Sequence, residues 1–571
     1  MTAAEADKPS TGASHTATVP RVAGAEQLPG RARVPRPALQ GLLVLAAYLA
    51  VFIVRYGLSL LLHPGLPQVG QAQVDPNFYV WSWRWWPYAI SHGLNPLYSR
   101  QIGAPAGFNL AWTTTAPAVA VILTPVTAAF GPITSANLVL LLAAPVSAWV
   151  AFLAARRLTG RFWAALVAGA VYGFSPYEIG HTAVGQTNLA VIMLLPLMLY
   201  LALLWRDGKL GDAVFVGLMA VTMAAEFYIF DEAYAEVAAL WAVGLLIGFA
   251  VARPADRKTV ARLAGLVAIA FGASIVLASP YLVYALRHYP AGFTKSGAGL
   301  HLERLVDPPV GILLLVIVVA LAVLTWSSRL TRLLVILFVL LVALAIGPHP
   351  IIGTKHLGPV PWAPLWSLPI ARSAEPMRLM LFAYLVLAII VAVWLSFPTG
   401  NRLLLASRWI LGVATVAALL AYHPTVPSGS VNPPSAPSAA VQPDALPAFI
   451  SAGLYRHYLR PGEIVLVVSD RGNAGMLFQA DTNFYMRIAG GFINVSVSNT
   501  TALPEPVARL RHPTPARERR FRAYVHRAGV GAILVERAWA APWMQVFSRM
   551  GLHGTSVGGM IIYRTSGAGT S

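Results

Sequence analysis

Residues 39–62 read LQGLLVLAAYLAVFIVRYGLSLLL, twenty-four residues whose one charge is Arg55. About 20 apolar residues suffice to cross a bilayer as a helix. The stretch is also too long for the 7–15-residue apolar region of a cleavable signal peptide. Further apolar runs follow at about 116–134, 135–155, 162–175, 188–205, 211–229, 233–251, 262–284, 308–326, 330–347, 377–396 and 403–421. The 571-residue chain is 57% hydrophobic and 11% charged, with mean hydropathy +0.65. Soluble domains carry about 25% charged residues. A soluble globular enzyme, a disordered chain and a coiled coil are therefore excluded. The expected class is an α-helical polytopic membrane protein with about 11–13 spans. With no cysteine, disulfides, thiolate metal sites and a cysteine nucleophile are excluded as well.

The formal charge of +19 is read as topology and contact with anionic membrane lipids, not as nucleic-acid binding. Residues 1–36 form a tail without apolar periodicity, and Arg21, Arg31, Arg33 and Arg36 precede the first span. Basic loops recur at Arg156-Arg157…Arg161, Arg206…Lys209, Arg253…Arg262, Arg329…Arg332 and Arg402…Arg408. The positive-inside rule places the tail and these loops in the cytoplasm. Segments 64–115, 176–187, 226–232, 287–307 and 348–376, with the C-terminal part, fall outside. Region 116–155 needs an odd number of crossings but is long enough for two. After the membrane domain (37–421), residues 422–447 read as a Pro/Ser/Ala linker. Runs such as Ile464-Val465-Leu466-Val467-Val468 and Ala532-Ile533-Leu534-Val535 predict a small extracytoplasmic α/β domain over 448–571.

Of the 22 acidic residues, three lie in the tail, seven beyond residue 422, and three (Asp207, Asp212, Asp256) in cytoplasmic loops. The other nine are Asp75, Glu178, Glu226, Asp231, Glu232, Glu236, Glu303, Asp307 and Glu375. Most fall near the outer ends of spans, where a carboxylate close to hydrocarbon is costly and marks a candidate site. Asp75 opens an aromatic stretch with four Trp and two Tyr over 79–88, which predicts a helix at the membrane interface. Asp75 can cap that helix or serve as a base held at the membrane surface.

Several blocks in order resemble the GT-C superfamily of membrane glycosyltransferases, and more closely its actinobacterial multi-spanning members. They are Asp75-Pro76-Asn77-Phe78 with Trp81 and Trp83, Gly93-Leu94-Asn95-Pro96, and Phe174-Ser175-Pro176-Tyr177 with His181 and Gly185-Gln186-Thr187-Asn188. Glu226 through Glu232, Leu368-Pro369…Arg372…Pro376-Met377-Arg378 and Gly490-Gly491-Phe492 continue the series. The resemblance implies an outward-facing site, a polyprenyl-phosphate sugar donor, a cell-envelope glycan or lipid acceptor, and inversion at the anomeric carbon. It implies that Asp75 is the general base, with Glu232 or Asp231 as a second acid. The donor phosphate needs a cation, and Arg372, Arg378, Lys355 and Arg304 are the candidates. His181, Gln186 and Trp81 are candidates for sugar or acceptor contact. No cofactor is expected. Asp75, Asp231, Glu232 and His301 could meet on a divalent ion, but no metal-binding spacing points to it. The competing expectation is a transporter or lipid flippase, which would show internal repeats and mid-membrane charges.

Overall fold

The computed structural model describes residues 36–67, 74–289, 310–352, 355–364, 375–423, 445–469, 473–491 and 512–565, with 507 and 510 between the last two stretches. Among them, eight helices are long and apolar enough to cross a membrane. They are Leu39–Leu62, Pro132–Thr159, Thr187–Arg206, Asp212–Ile229, Asp231–Val251, Pro254–Arg287, Pro376–Ser396 and Arg402–Ala421. Phe162–Gly173 and Val310–Thr325 are shorter apolar helices, and Arg329–Ala345 is a further helix of 17 residues. The protein is thus a polytopic α-helical membrane protein, as the composition predicts.

Region 116–155 lies in three successive helices. Pro117–Ile122 and Thr124–Phe130 are short helices. The chain then turns at Gly131, with φ +87°, a left-handed conformation that glycine adopts without steric cost. Pro132 opens one 28-residue helix, pre-set for the first helical turn. Residues 132–159 are therefore one continuous helix, long and apolar enough to cross a membrane once.

The centre of the bundle is built on small residues. Helices Pro132–Thr159 and Phe162–Gly173 approach so closely that a methyl group at Gly173 would collide with Ala148 and the Ala144 carbonyl, and one at Gly169 with Tyr48 and the Ala148 carbonyl. Between apolar lipids, association rests on such packing rather than on a hydrophobic driving force. Pro376–Ser396 is the most enclosed span. The intramembrane Arg55 sits in a π-helical turn, Ile53–Gly57. Its Nε donates to the Leu420 carbonyl at 2.6 Å and its Nη2 meets His423, so two of its nitrogens find partners at the end of Arg402–Ala421.

The C-terminal part folds around a five-stranded sheet in the order Arg487–Ile488, Ile464–Val468, Ala532–Glu536, Met560–Arg564, Gly554–Val557. The first three strands are parallel and the last two antiparallel to their neighbours. Side chains alternate across a strand, so the sheet has two faces. Val465, Val467, Ala532, Leu534 and Ile562 join the apolar core shared with the membrane helices. Leu466, Val468, Ile533, Val535 and Ile561 face helices Pro515–Arg527 and Ala541–Arg549 through Phe521, Val546 and Phe547.

The aromatic stretch is a helix, Val74–Ser91, but not an exposed interfacial one. Phe78, Tyr79, Trp81, Trp83, Trp85 and Trp86 are buried. The C-terminal domain supplies the cover expected from lipid headgroups: Phe484 packs edge-on against Trp81 and Trp85 at 5.9 and 5.6 Å. The segment after this helix then pairs with the edge of the sheet. Ile488 N donates to the Gln101 carbonyl at 2.8 Å, Ala104 N to Ile488 O at 3.0 Å and Gly103 N to Gly490 O at 2.8 Å. That edge is therefore covered and not left open to another chain.

Candidate functional site

Asp75 lies in the first turn of Val74–Ser91 and is half-buried. Its Oδ2 accepts a hydrogen bond from Gln186 Nε2 at 2.8 Å. Gln186 Oε1 in turn lies 2.7 Å from His181 Nδ1. An amide oxygen only accepts, so this contact sets His181 as the Nδ1–H tautomer and leaves Nε2 as the acceptor. Burial pushes His181 down to about 4, with the Gln186 hydrogen bond raising it and Arg378 lowering it. The ring is therefore neutral near pH 7 and stacks edge-on against Tyr177 at 4.4 Å.

The local sequence makes this arrangement. Ser175 caps the short helix Pro176–Ala183, accepting from Glu178 N at 3.3 Å, and Pro176 occupies its first position. Tyr177 and His181 are four apart and share a helix face. The chain turns back through Gly185, φ +71°, and Gln186 N donates to His181 O at 3.0 Å. His181 and Gln186 are thus side by side before Asp75 joins them. Asn188, two residues on, accepts from Tyr79 Oη, which ties this segment to the Asp75 helix one turn beyond Asp75.

A second cluster lies beside the first. Arg378 pairs with Glu232 and, through Nη2, with Glu375 Oε2 at 3.1 Å. Glu375 N donates to Glu232 Oε1 at 2.7 Å, and the guanidinium lies 5.1 Å from the Phe230 ring centre. The two clusters share a field. Burial holds Tyr79 above its usual range, Asp75 and Asp231 add to this, and Arg378 opposes it. Arg378 likewise acts on Tyr177 and His181.

Of the residues named from sequence, Asp75, His181, Gln186, Asp231, Glu232 and Arg378 therefore gather in one region. Glu232 and Arg378, assigned separate roles above, are partners of each other. Trp81 stands apart: it is fully buried, and its Nε1 donates to Gln479 Oε1 at 2.7 Å. Its indole thus serves the junction with the C-terminal domain and presents no surface to a ligand. Lys355 is exposed on the short pairing of Ile351–Ile352 with Lys355–His356. Arg372 and Arg304 lie outside the described residues, as does His301. Among the described residues no three His, Asp or Glu side chains converge as a metal-ligand set would.

Among the 22 acids of the sequence, Glu178 was only one of the nine outside the tail, the cytoplasmic loops and the C-terminal part. It is fully buried, and neither carboxyl oxygen has a hydrogen-bond partner among the described residues. Burial holds its carboxyl well above the usual range, which favours the neutral form. Tyr79, Tyr177 and Asn188 were also passed over, although all three stand inside blocks that carried the resemblance.

No family model matches the chain, and no curated protein matches it. Solved structures do. The Archaeoglobus fulgidus oligosaccharyltransferase AglB, solved with an inhibitory peptide and a dolichol-phosphate, superposes with TM-score 0.50 at 11% identity, covering 94% of this chain and 75% of AglB. The apo form gives TM-score 0.53 at 11% identity, covering 92% and 74%. The mycobacterial arabinofuranosyltransferase AftD gives 0.58 at 15% identity, covering 92% of this chain and 40% of AftD, so the chain spans less than half of AftD. The likeness covers most of this chain and shows a shared fold, as the ordered blocks led us to expect.

Proposed function

We propose that this chain, a multi-pass membrane protein with the GT-C fold, is an inverting glycosyltransferase. In this reading it moves a sugar from a polyprenyl-phosphate donor to a cell-envelope glycan or lipid acceptor outside the plasma membrane. The N-terminus is cytoplasmic and the C-terminal domain extracytoplasmic. The observation that carries the reading is Asp75 held by Gln186 and His181 next to the Arg378 cluster. Gln186 occupies Oδ2 with an amide proton, which fixes the carboxylate plane and leaves Oδ1 to receive a proton. In the transfer, the acceptor hydroxyl gives its proton to Asp75 as its oxygen attacks C1, the C1–O bond to phosphate breaks, and polyprenyl phosphate leaves with the bonding pair.

The leaving phosphate needs positive charge. Arg378 supplies it by exchanging one of its two carboxylate partners for phosphate oxygens in the same bidentate geometry; Arg372, Arg304 and Lys355 are the other cations assigned to it. Asp231 is exposed at the head of Asp231–Val251 and is placed as an acceptor contact, while Glu232 holds Arg378 ready. His181 and Gln186 border the sugar. AglB was solved with a dolichol-phosphate, a polyprenyl-phosphate lipid like the donor assigned here. The test is transfer of radiolabel from polyprenyl-phosphate sugars by membranes containing the wild-type protein or Asp75→Asn. Label transfer that depends on Asp75 supports the reading, and no transfer from any such donor refutes it.

A further inference from the structure

The helix Pro515–Arg527 carries Arg517, Arg519, Arg520, Arg522 and Arg527 against one acid, Glu518. It anchors itself to the sheet through Phe521, which is buried and 5.8 Å from Phe547. At about 100° per residue, Arg519, His526 and Arg527 lie on the side opposite Phe521, with Arg520 and Arg522 on its two flanks, and all five are exposed. Arg522 Nη2 donates to the Met550 carbonyl at 2.7 Å. That bond brings the end of Ala541–Arg549, with exposed Arg549, alongside. Arg517 is spent on the His512 carbonyl at 2.6 Å.

A run of arginines on a helix is most often only a solvated face. Here its position adds information. One face of the sheet joins the core shared with the membrane helices, and this helix covers the other face. The basic surface thus points away from the membrane domain. Like charges gathered on one small face repel one another, and a polyanion relieves that repulsion. Guanidinium groups match carboxylates in bidentate geometry.

We infer that Arg519, Arg520, Arg527 and Arg549 form a docking surface for a water-borne, carboxylate-bearing polysaccharide. The inference rests on the extracytoplasmic placement proposed above, but its test does not: binding by purified protein reads the surface, whereas sidedness is read by reporter fusions. The experiment uses the full chain in detergent with polygalacturonate, and with the same polymer methyl-esterified as a neutral twin. The expected result is binding that weakens with salt, is lost on esterification, and falls at least tenfold in R519Q/R520Q/R527Q, a variant that spares the Arg522 anchor. The control R456Q/R460Q, equally exposed but elsewhere on the domain, should bind as wild type. Three outcomes overturn the inference: equal binding of the esterified polymer, unchanged binding by the triple variant, or salt-insensitive binding. Anionic phosphatidylglycerol vesicles that lose affinity in the triple variant while polygalacturonate does not would reassign the face to the membrane.

Discussion

Trp81 Nε1 donates to Gln479 Oε1 at 2.7 Å, joining the helix that begins at Asp75 to the C-terminal domain. Gln479 is fully buried, and its Nε2 donates to the carbonyls of Gln101 and Met486, both at 2.8 Å. One side chain thus satisfies three groups from three chain segments. Gln479→Leu leaves the Trp81 N–H and the Met486 carbonyl unpaired, at about 1–3 kcal/mol for each buried group, while the Gln101 carbonyl keeps its bond from Ile488 N. We expect the thermal midpoint in detergent to fall and kcat to drop, because the Asp75 helix loses its clamp. Trp81→Phe, which orphans only Gln479 Oε1, should do less. Equal midpoints for wild type and Gln479→Leu would refute the clamp.

Asp75→Asn keeps the side chain's size and its hydrogen bond from Gln186 through the remaining oxygen, but cannot take a proton. Loss of a general base costs about 10²–10⁴-fold in rate. Donor binding should change far less, since the interaction belongs to the transition state. Single-turnover transfer with a parallel binding assay separates the two. Near wild-type transfer would remove Asp75 from the mechanism.

Arg378 and Glu232 are largely enclosed, their side chains 14% and 8% exposed. Removing one partner of such a pair strands the other and costs about 3–5 kcal/mol. Arg378→Ala should therefore lower the thermal midpoint more than the double variant Glu232→Ala/Arg378→Ala. Both should lose donor affinity. A double variant less stable than Arg378→Ala would show that the pair is not the source of the cost.

His181 is held down to about 4 in the folded protein, chiefly by burial, against about 6.5 in an unfolded chain. The folded state then binds fewer protons than the unfolded one, so stability rises with pH through this window. The neutral ring's contribution is complete above about pH 6.5 and is lost as pH falls toward about 4. His181→Gln should flatten the thermal midpoint between these values. An unchanged slope would place the acid sensitivity elsewhere.

Many members of the candidate cluster were legible. Asp75, Asp231, Glu232 and Arg378 stood out because acids and cations beside apolar sequence are costly unless used, and His181 and Gln186 because they stand in the blocks that carry the resemblance. Their pairing was not legible. Glu232 and Arg378 are 146 residues apart, and nothing local says that two such charges neutralise each other. Trp81 was misassigned for the same reason. An aromatic beside an acid looks ligand-facing until Gln479, 398 residues away, is seen to cover it. Glu178 went unranked because its meaning is its burial, and no local pattern separates it from a solvated loop acid.

Composition and hydropathy determined the class: with so few charges and so many apolar runs, the chain has no other way to satisfy its backbone than as helices in a bilayer. Local signals also set the turn at Gly131, the cap at Ser175 and the alternating strands of the C-terminal sheet. Those are short-range effects, decided within a few residues by sterics and hydrogen bonding. Tertiary structure alone decided which helices reach full length, that the aromatic helix is covered by protein instead of lipid, and that Gln186 holds Asp75. Each depends on segments distant in sequence meeting in space, and the energy of such contacts lies in packing and paired charges that no single stretch contains.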